Sequence, residues 1–186
     1  MISIFAIGIA GAATWSFGEY ILHRFLGHAC KGRNRFSREH LAHHSDPTYF
    51  TPTREKAIVG LFAFVVIFGL GLLAMSTAQA GAFAGGFLAM YIFYEVLHRR
   101  IHTHAPMGPY GRMVRKHHLS HHFTDARLRH GVTSRVWDRV FKTHAHIPIV
   151  RVPRKLATKW MLDAGGELRA CYSGSYALVG RKPVDS

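Results

Sequence analysis

The sequence predicts an all-α integral membrane protein, with about three transmembrane helices beneath a cytoplasmic helical cap that carries histidine boxes. Three observations lead there. Residues 57–97 run through 41 positions with a single charge, Glu95. The 24 Lys and Arg residues avoid 1–23 and 57–97 altogether, seven lying between Arg24 and Lys56 and seventeen from Arg99 onward. Fifteen histidines fall outside the apolar spans.

The first span is placed at about 2–20. It has no basic leader and no clear cleavage site before His23, so it reads as a retained helix rather than a signal peptide. The second apolar stretch is too long for one crossing: as a single helix 57–97 would extend roughly 60 Å, about twice a bilayer core. It therefore folds back, with the small polar STAQAG at 76–81 as the turn and spans at about 57–76 and 80–97. Basic loops stay on the cytoplasmic side. This puts the N-terminus outside and every histidine inside, together with the C-terminus, in a bacterial inner membrane or an ER membrane. Residues 1–146 form the membrane domain, and 147–186 a C-terminal cytoplasmic tail.

Two function classes drop out early. The net charge of +14 suggests nucleic acid, but its segregation around apolar spans is that of a membrane protein, and no soluble scaffold remains to carry a nucleic-acid surface. Cys30 and Cys171 are far apart and lack CxxC spacing, which argues against a disulfide framework or a thiolate zinc site and fits a reducing compartment.

The histidines carry the chemistry. HRFLGH holds His23 and His28, HLAHH holds His40, His43 and His44, HRRIH holds His98 and His102, and HLSHH holds His118, His121 and His122. Positions i, i+3 and i+4 of a helix share a face, so each HxxHH box is expected to offer three rings to one point. His23 and His28, five apart, do not align on an ideal helix; Gly27 is expected to end the helix so that His28 reaches back from a loop. EYILHR and YEVLHR echo each other, as do HLAHH and HLSHH, which suggests two similarly built halves. Ten imidazoles exceed the needs of one ion but suit two, and sulfur-free nitrogen ligation fits iron, copper or zinc. Glu19 and Glu95 each precede a leading histidine by about one turn. They either orient ligand rings, as carboxylates commonly do, or pair with nearby arginines. His104, His117, His130, His144 and His146 fall outside the spacing and read as non-ligands.

The order HX4H, HxxHH, HX3H, HxxHH around a transmembrane hairpin resembles the fatty acid hydroxylase (sterol desaturase) superfamily of membrane diiron enzymes, and fatty acid 2-hydroxylases within it. The likeness runs over about 15–146, through EYILHRFLGH, HLAHHSDPTYFTP, KHHLSHHF and GVTSRVWDRVFKT. It implies an O2-dependent oxygenase that hydroxylates a lipid acyl chain. Two iron ions would be held by the ten box histidines, with zinc able to replace them in a purified sample. It also brings in Asp138, either orienting a ligand ring or pairing with Arg135 or Arg139. Eukaryotic 2-hydroxylases commonly carry a fused cytochrome b5 domain, which is not seen here, so a separate electron carrier, ferredoxin or cytochrome b5-like, is implied. The substrate is a lipid from the bilayer. Carotenoid ring hydroxylases and sterol oxidases or desaturases on the same scaffold stay open, as does a non-enzymatic metal- or haem-binding membrane protein. Trp15, Phe25, Phe93 and Tyr94 are candidates to line the lipid's path. Arg112, Arg115, Lys116, Arg127 and Arg129 are candidates to face anionic lipid heads or an acidic carrier.

Overall fold

A computed structural model describes residues 3–180. Helix α1 (Ile4–Ile21) starts at Ser3, whose side chain caps Ala6 N, and runs without a break into a π-helical segment, Leu22–Ala29. Then come α2 (Arg35–Ser45), α3 (Thr53–Gly71), α4 (Thr77–Thr103), α5 (Gly108–Phe123) and the short α6 (Val136–Val140). Strands β1 (Val150–Pro153) and β2 (Tyr176–Val179) pair in parallel, with Val150 opposite Tyr176. Three 3-10 turns lie between them.

The hairpin turn falls earlier than the sequence suggested. Ser76 accepts from Gln79 N while the Gln79 side chain accepts from Ser76 N. This capping box opens α4 instead of leaving STAQ in the turn, so the chain reverses at 72–76. Among the described residues two helical stretches, Ile4–Ala29 and Thr77–Thr103, are long and apolar enough to cross a membrane. Helix α3 starts with Arg54, Glu55 and Lys56, which leaves fifteen apolar residues, about 22 Å of helix.

Glycine sets the crossing of α1 and α4. A Cβ on Gly11 would stand 2.0 Å from Phe83 O, and one on Gly86 1.9 Å from Gly8 O. The two backbones touch, as small residues permit between membrane helices.

The chain is not purely helical. Residues 147–179 fold against the backs of α4 and α5. Ile101, Val114 and Leu119 share a core with Val150, Val152, Trp160, Met161 and Tyr176. In VRVP the two β-branched valines face in and Arg151 faces out, the period-2 pattern of a strand.

Candidate metal centre

The ten box histidines gather into two groups of five. One comprises His23, His28, His40, His44 and His121; the other His43, His98, His102, His118 and His122. Within each group the ligand atoms lie within 4.8 Å of one another. Neither HxxHH box serves a single point. His40 and His44 join the first group and His43 the second, while His118 and His122 join the second and His121 the first. Successive helical residues diverge by about 100°, so neighbours at i+3 and i+4 straddle i and face different centres. The clusters touch where His44 stacks on His122, ring centroids 4.0 Å apart.

The π-helix resolves the spacing of His23 and His28. A helix closed by i→i+5 bonds brings residues five apart into line, and the two rings lie 5.2 Å apart. The helix therefore widens at Gly27 where a stop was expected. Gly27 is there for space: an ideal Cβ would approach His40 Cδ2 to 2.9 Å. The Gly27 carbonyl also accepts from Ser37 Oγ at 2.7 Å, tying the π-helix to α2.

Backbone carbonyls set several rings. His23 Nδ1 donates to His130 O, His121 Nδ1 to Leu128 O (2.7 Å) and His43 Nδ1 to Tyr49 O (2.8 Å). Each such bond leaves a bare lone pair on Nε2. The Nε2 atoms of His23 and His121 nevertheless stand 2.9 Å apart, lone pair against lone pair. A cation between them relieves that repulsion. Four further Nε2 pairs stand at 2.8 Å (His28–His40), 2.9 Å (His28–His121), 3.0 Å (His102–His118) and 3.2 Å (His43–His102). At a metal–nitrogen distance of about 2.1 Å, ligands of one ion stand about 3.0–3.4 Å apart. Five nitrogens gathered in each group thus fit the coordination shell of a metal ion. Nε2 of His44 and of His98 and both nitrogens of His122 are buried without a protein partner, as free ligand atoms would be. Burial also keeps the rings neutral, lowering His43 to about 4 and His44 to about 3. His40, His118, His121 and His122 sit well below the ordinary imidazole value, first through burial and then through neighbouring rings.

The three carboxylates behave differently from expectation. Glu19 touches no histidine; it accepts from Val132 N (2.6 Å), Thr133 N (2.9 Å) and Thr133 Oγ1 (2.8 Å). Asp138 accepts from His130 N and Gly131 N, both at 2.8 Å, from Thr143 Oγ1 and from His117 Nε2. Four consecutive amides, 130 to 133, are therefore gripped by two buried carboxylates, and the His130 carbonyl at the head of that segment orients His23. The carboxylates act through the backbone, which is why a search for carboxylate–imidazole pairs misassigns them. Asp138 does hold an imidazole, but that of His117 and not a member of either cluster, and it pairs with neither Arg135 nor Arg139. Glu95 binds Lys56 across to α3, not an arginine.

Of the remaining histidines, His130 packs its ring 5.3–5.8 Å from those of His23, His28 and His121. His144 stacks on His117, His104 caps α4, and His146 is exposed. Of the five basic candidates, Arg115 and Arg129 are buried on backbone carbonyls and Lys116 binds Pro148 O, whereas Arg112 and Arg127 are exposed, Arg127 pairing with Asp125.

A cavity of about 500 Å³ leads to the centre between α1, α3 and α4. Trp15, Val59, Phe87 and Tyr91 line its apolar length, His23 and His40 its inner wall, and Arg35, Glu39, Glu55 and Lys56 its polar rim. A smaller cavity of about 90 Å³ reaches His43 and His98. Trp15 and Tyr94 line the larger one; Phe25 and Phe93 do not and are exposed.

A family model described as fatty acid hydroxylase matches residues 8–143. The chain belongs to the fatty acid hydroxylase family. This family member is 35% identical over 161 residues to a dihydroceramide fatty acyl 2-hydroxylase of Arabidopsis thaliana, the match covering 82% of this chain and 65% of that one. It is 31% identical to a ceramide very long chain fatty acid hydroxylase of Schizosaccharomyces pombe (81% and 45% covered) and 31% identical to the fatty acid 2-hydroxylase of Mus musculus (73% and 38%). Among solved structures, full-length scs7p, of which only the hydroxylase domain is visible, superimposes with a TM-score of 0.62 at 29% identity, covering 77% of this chain and 56% of that one. The chain thus spans less than two thirds of the length of these curated relatives.

Proposed function

We propose that this family member is a membrane non-haem diiron oxygenase that hydroxylates a lipid acyl chain, as a fatty acid 2-hydroxylase does. One observation carries the reading: a five-imidazole cluster lines the inner end of an apolar cavity beside helices long and apolar enough to cross a membrane, with a second such cluster packed directly against it. The balanced reaction is RH + O2 + 2e⁻ + 2H⁺ → ROH + H2O, with both electrons from a separate carrier, ferredoxin or cytochrome b5-like. The ten box histidines are the ligands. A bound pair of iron ions supplies the activation of O2 and the oxidation of the C–H bond.

The chain's own groups supply the rest. The carbonyls of residues 49, 128 and 130 hold Nδ1–H on three rings and so aim their Nε2 lone pairs inward. Glu19 and Asp138 keep the 130–133 segment in place. The cavity takes the acyl chain from the bilayer, and its aromatic wall keeps water from the reacting carbon. The polar rim meets the lipid's head. Helix α3 makes a third, short crossing with its charged first turn at the interface, so the boxes face the cytoplasm. In this reading the membrane domain ends at residue 146 and the described part of the C-terminal segment, 147–180, lies on the cytoplasmic side; residues 1–2 and 181–186 lie outside the described residues.

Mass spectrometry of hydrolysed lipids from cells expressing this chain, against the His121→Ala version, tests the reading. New 2-hydroxy fatty acids are expected with the intact chain alone. An acyl profile unchanged by the intact chain, with a matched reductase system supplied, contradicts it.

A further inference from the structure

The two clusters are anchored by different means. In the first, His23 and His121 donate to carbonyls, and two carboxylates secure the segment behind His23. In the second, His43 alone has such a partner. Nδ1 of His102, Nδ1 of His118 and both nitrogens of His122 have none among the described residues. The direction of these rings must therefore come from the placement of α4 and α5 themselves.

That placement is secured from behind, by residues 147–179, which lie outside the stretch matched by the family model. The last carbonyls of a helix lack intrahelical donors; in α4 Arg100 O still accepts from His104 N, and two side chains serve the carbonyls at the turn that bears His98 and His102. Trp160 Nε1 donates to Ile101 O at 3.1 Å. Arg115, buried on α5, donates to Arg100 O and to His104 O, both at 2.9 Å. The Arg115 guanidinium also lies 6.0 Å from the centre of the Trp160 ring. Among the described residues Arg115 meets no carboxylate; its hydrogen bonds go to backbone carbonyls, the third being Gly111 O. A buried cation spent on carbonyls of two helices fixes their crossing, and a flexible Lys does not reproduce its planar fork. The apolar contacts of Ile101, Val114 and Leu119 with Val150, Val152 and Met161 complete the clamp.

We propose that Trp160 and Arg115 are positioning residues for the second cluster, and that the C-terminal segment exists to set that cluster's geometry. This rests on the diiron reading above. The prediction is selective: weakening the clamp weakens the second metal and spares the first.

The test titrates the purified, metal-free full chain with Co²⁺, following its visible bands and the bound metal per chain. The variant Trp160→Phe keeps an aromatic ring in the core but removes the N–H together with the pyrrole half of the indole; Arg115→Lys keeps the charge and leaves Trp160 in place. In each, one cobalt is expected to bind roughly 10–100-fold more weakly, the usual cost of removing an outer partner of a metal ligand, with the other unchanged. Paired variants assign which. In a His28→Ala background, which removes a first-cluster ring that touches no ring of the second cluster, Trp160→Phe should weaken the remaining cobalt by that factor. In a His43→Ala background it should leave the remaining cobalt unaffected. Equal weakening in both backgrounds, or no change in the His28→Ala background, overturns the proposal. A parent chain that binds fewer than two cobalt ions removes the dinuclear reading itself, and the proposal with it.

Discussion

Replacing Gly27 by Ala tests the π-helical site most sharply. The added Cβ would meet His40 Cδ2 at 2.9 Å, with Cγ and Nε2 at 3.3 Å. Carbon atoms pack best at about 3.5–4.0 Å, so the imidazole must retreat by about 0.6 Å or more. Metal–ligand distances tolerate about 0.2 Å, and the ring cannot swing freely because His28 and His44 flank it at centroid distances of 4.5 and 4.7 Å. The substitution itself favours helix by about 0.5–1 kcal/mol, so the chain still folds. We therefore expect Gly27→Ala to insert normally yet to bind the first-cluster metal roughly 10–100-fold more weakly, with hydroxylation falling alongside. Metal analysis after dialysis against a graded chelator reads the affinity. A Gly27→Ala protein that keeps both metals and full turnover would refute the claim that His40 is held by this contact.

Three further outcomes follow from the same geometry. Glu19→Leu removes the acceptor of Val132 N, Thr133 N and Thr133 Oγ1. Each buried donor left unpaired costs about 1–3 kcal/mol, so Tm should fall and the first metal loosen; an unchanged Tm in detergent contradicts this. Gly11→Leu drives a side chain into Phe83 O and should abolish stable protein, whereas Gly69→Ala, with nothing within 4 Å, should be neutral; similar yields of the two would show that α1 and α4 do not cross as described. Acid is the third lever. His43 and His44 stay unprotonated in the fold down to about 4 and about 3, because of burial. The unfolded chain takes up protons near 6.5, so stability falls as pH drops from 6.5 toward 4. Metal-free protein should melt lower at pH 5 than at pH 7, and an equal or higher Tm at pH 5 counts against neutral buried rings.

The ten histidines of the two clusters were legible because residue type and spacing survive in a sequence. Their division was not. It depends on the 100° between His43 and His44 and on the π-helix at His23–His28, a backbone choice with no residue signature beyond Gly27. Glu19 and Asp138 read as partners of ligand rings or of arginines, but both accept from backbone amides of the 130–133 segment, and every residue other than proline has such an amide. The carbonyls that orient His23, His43 and His121 are silent for the same reason. The early chain reversal follows from Ser76 capping α4, a local signal that the small polar composition of STAQAG masked. The C-terminal segment escaped because β1 and β2 lie more than twenty residues apart and pair in parallel, with neither period nor turn to announce them.

The division of each HxxHH box between two ions is the central structural claim, and iron per chain in single and paired variants tests it most directly. His43→Ala and His44→Ala, adjacent in sequence, should each leave about one iron. His43→Ala with His98→Ala, both from the second cluster, should still leave one, while His43→Ala with His44→Ala should leave none. If the His43/His44 pair retains one iron, the two rings serve the same ion, and the two-cluster arrangement is wrong.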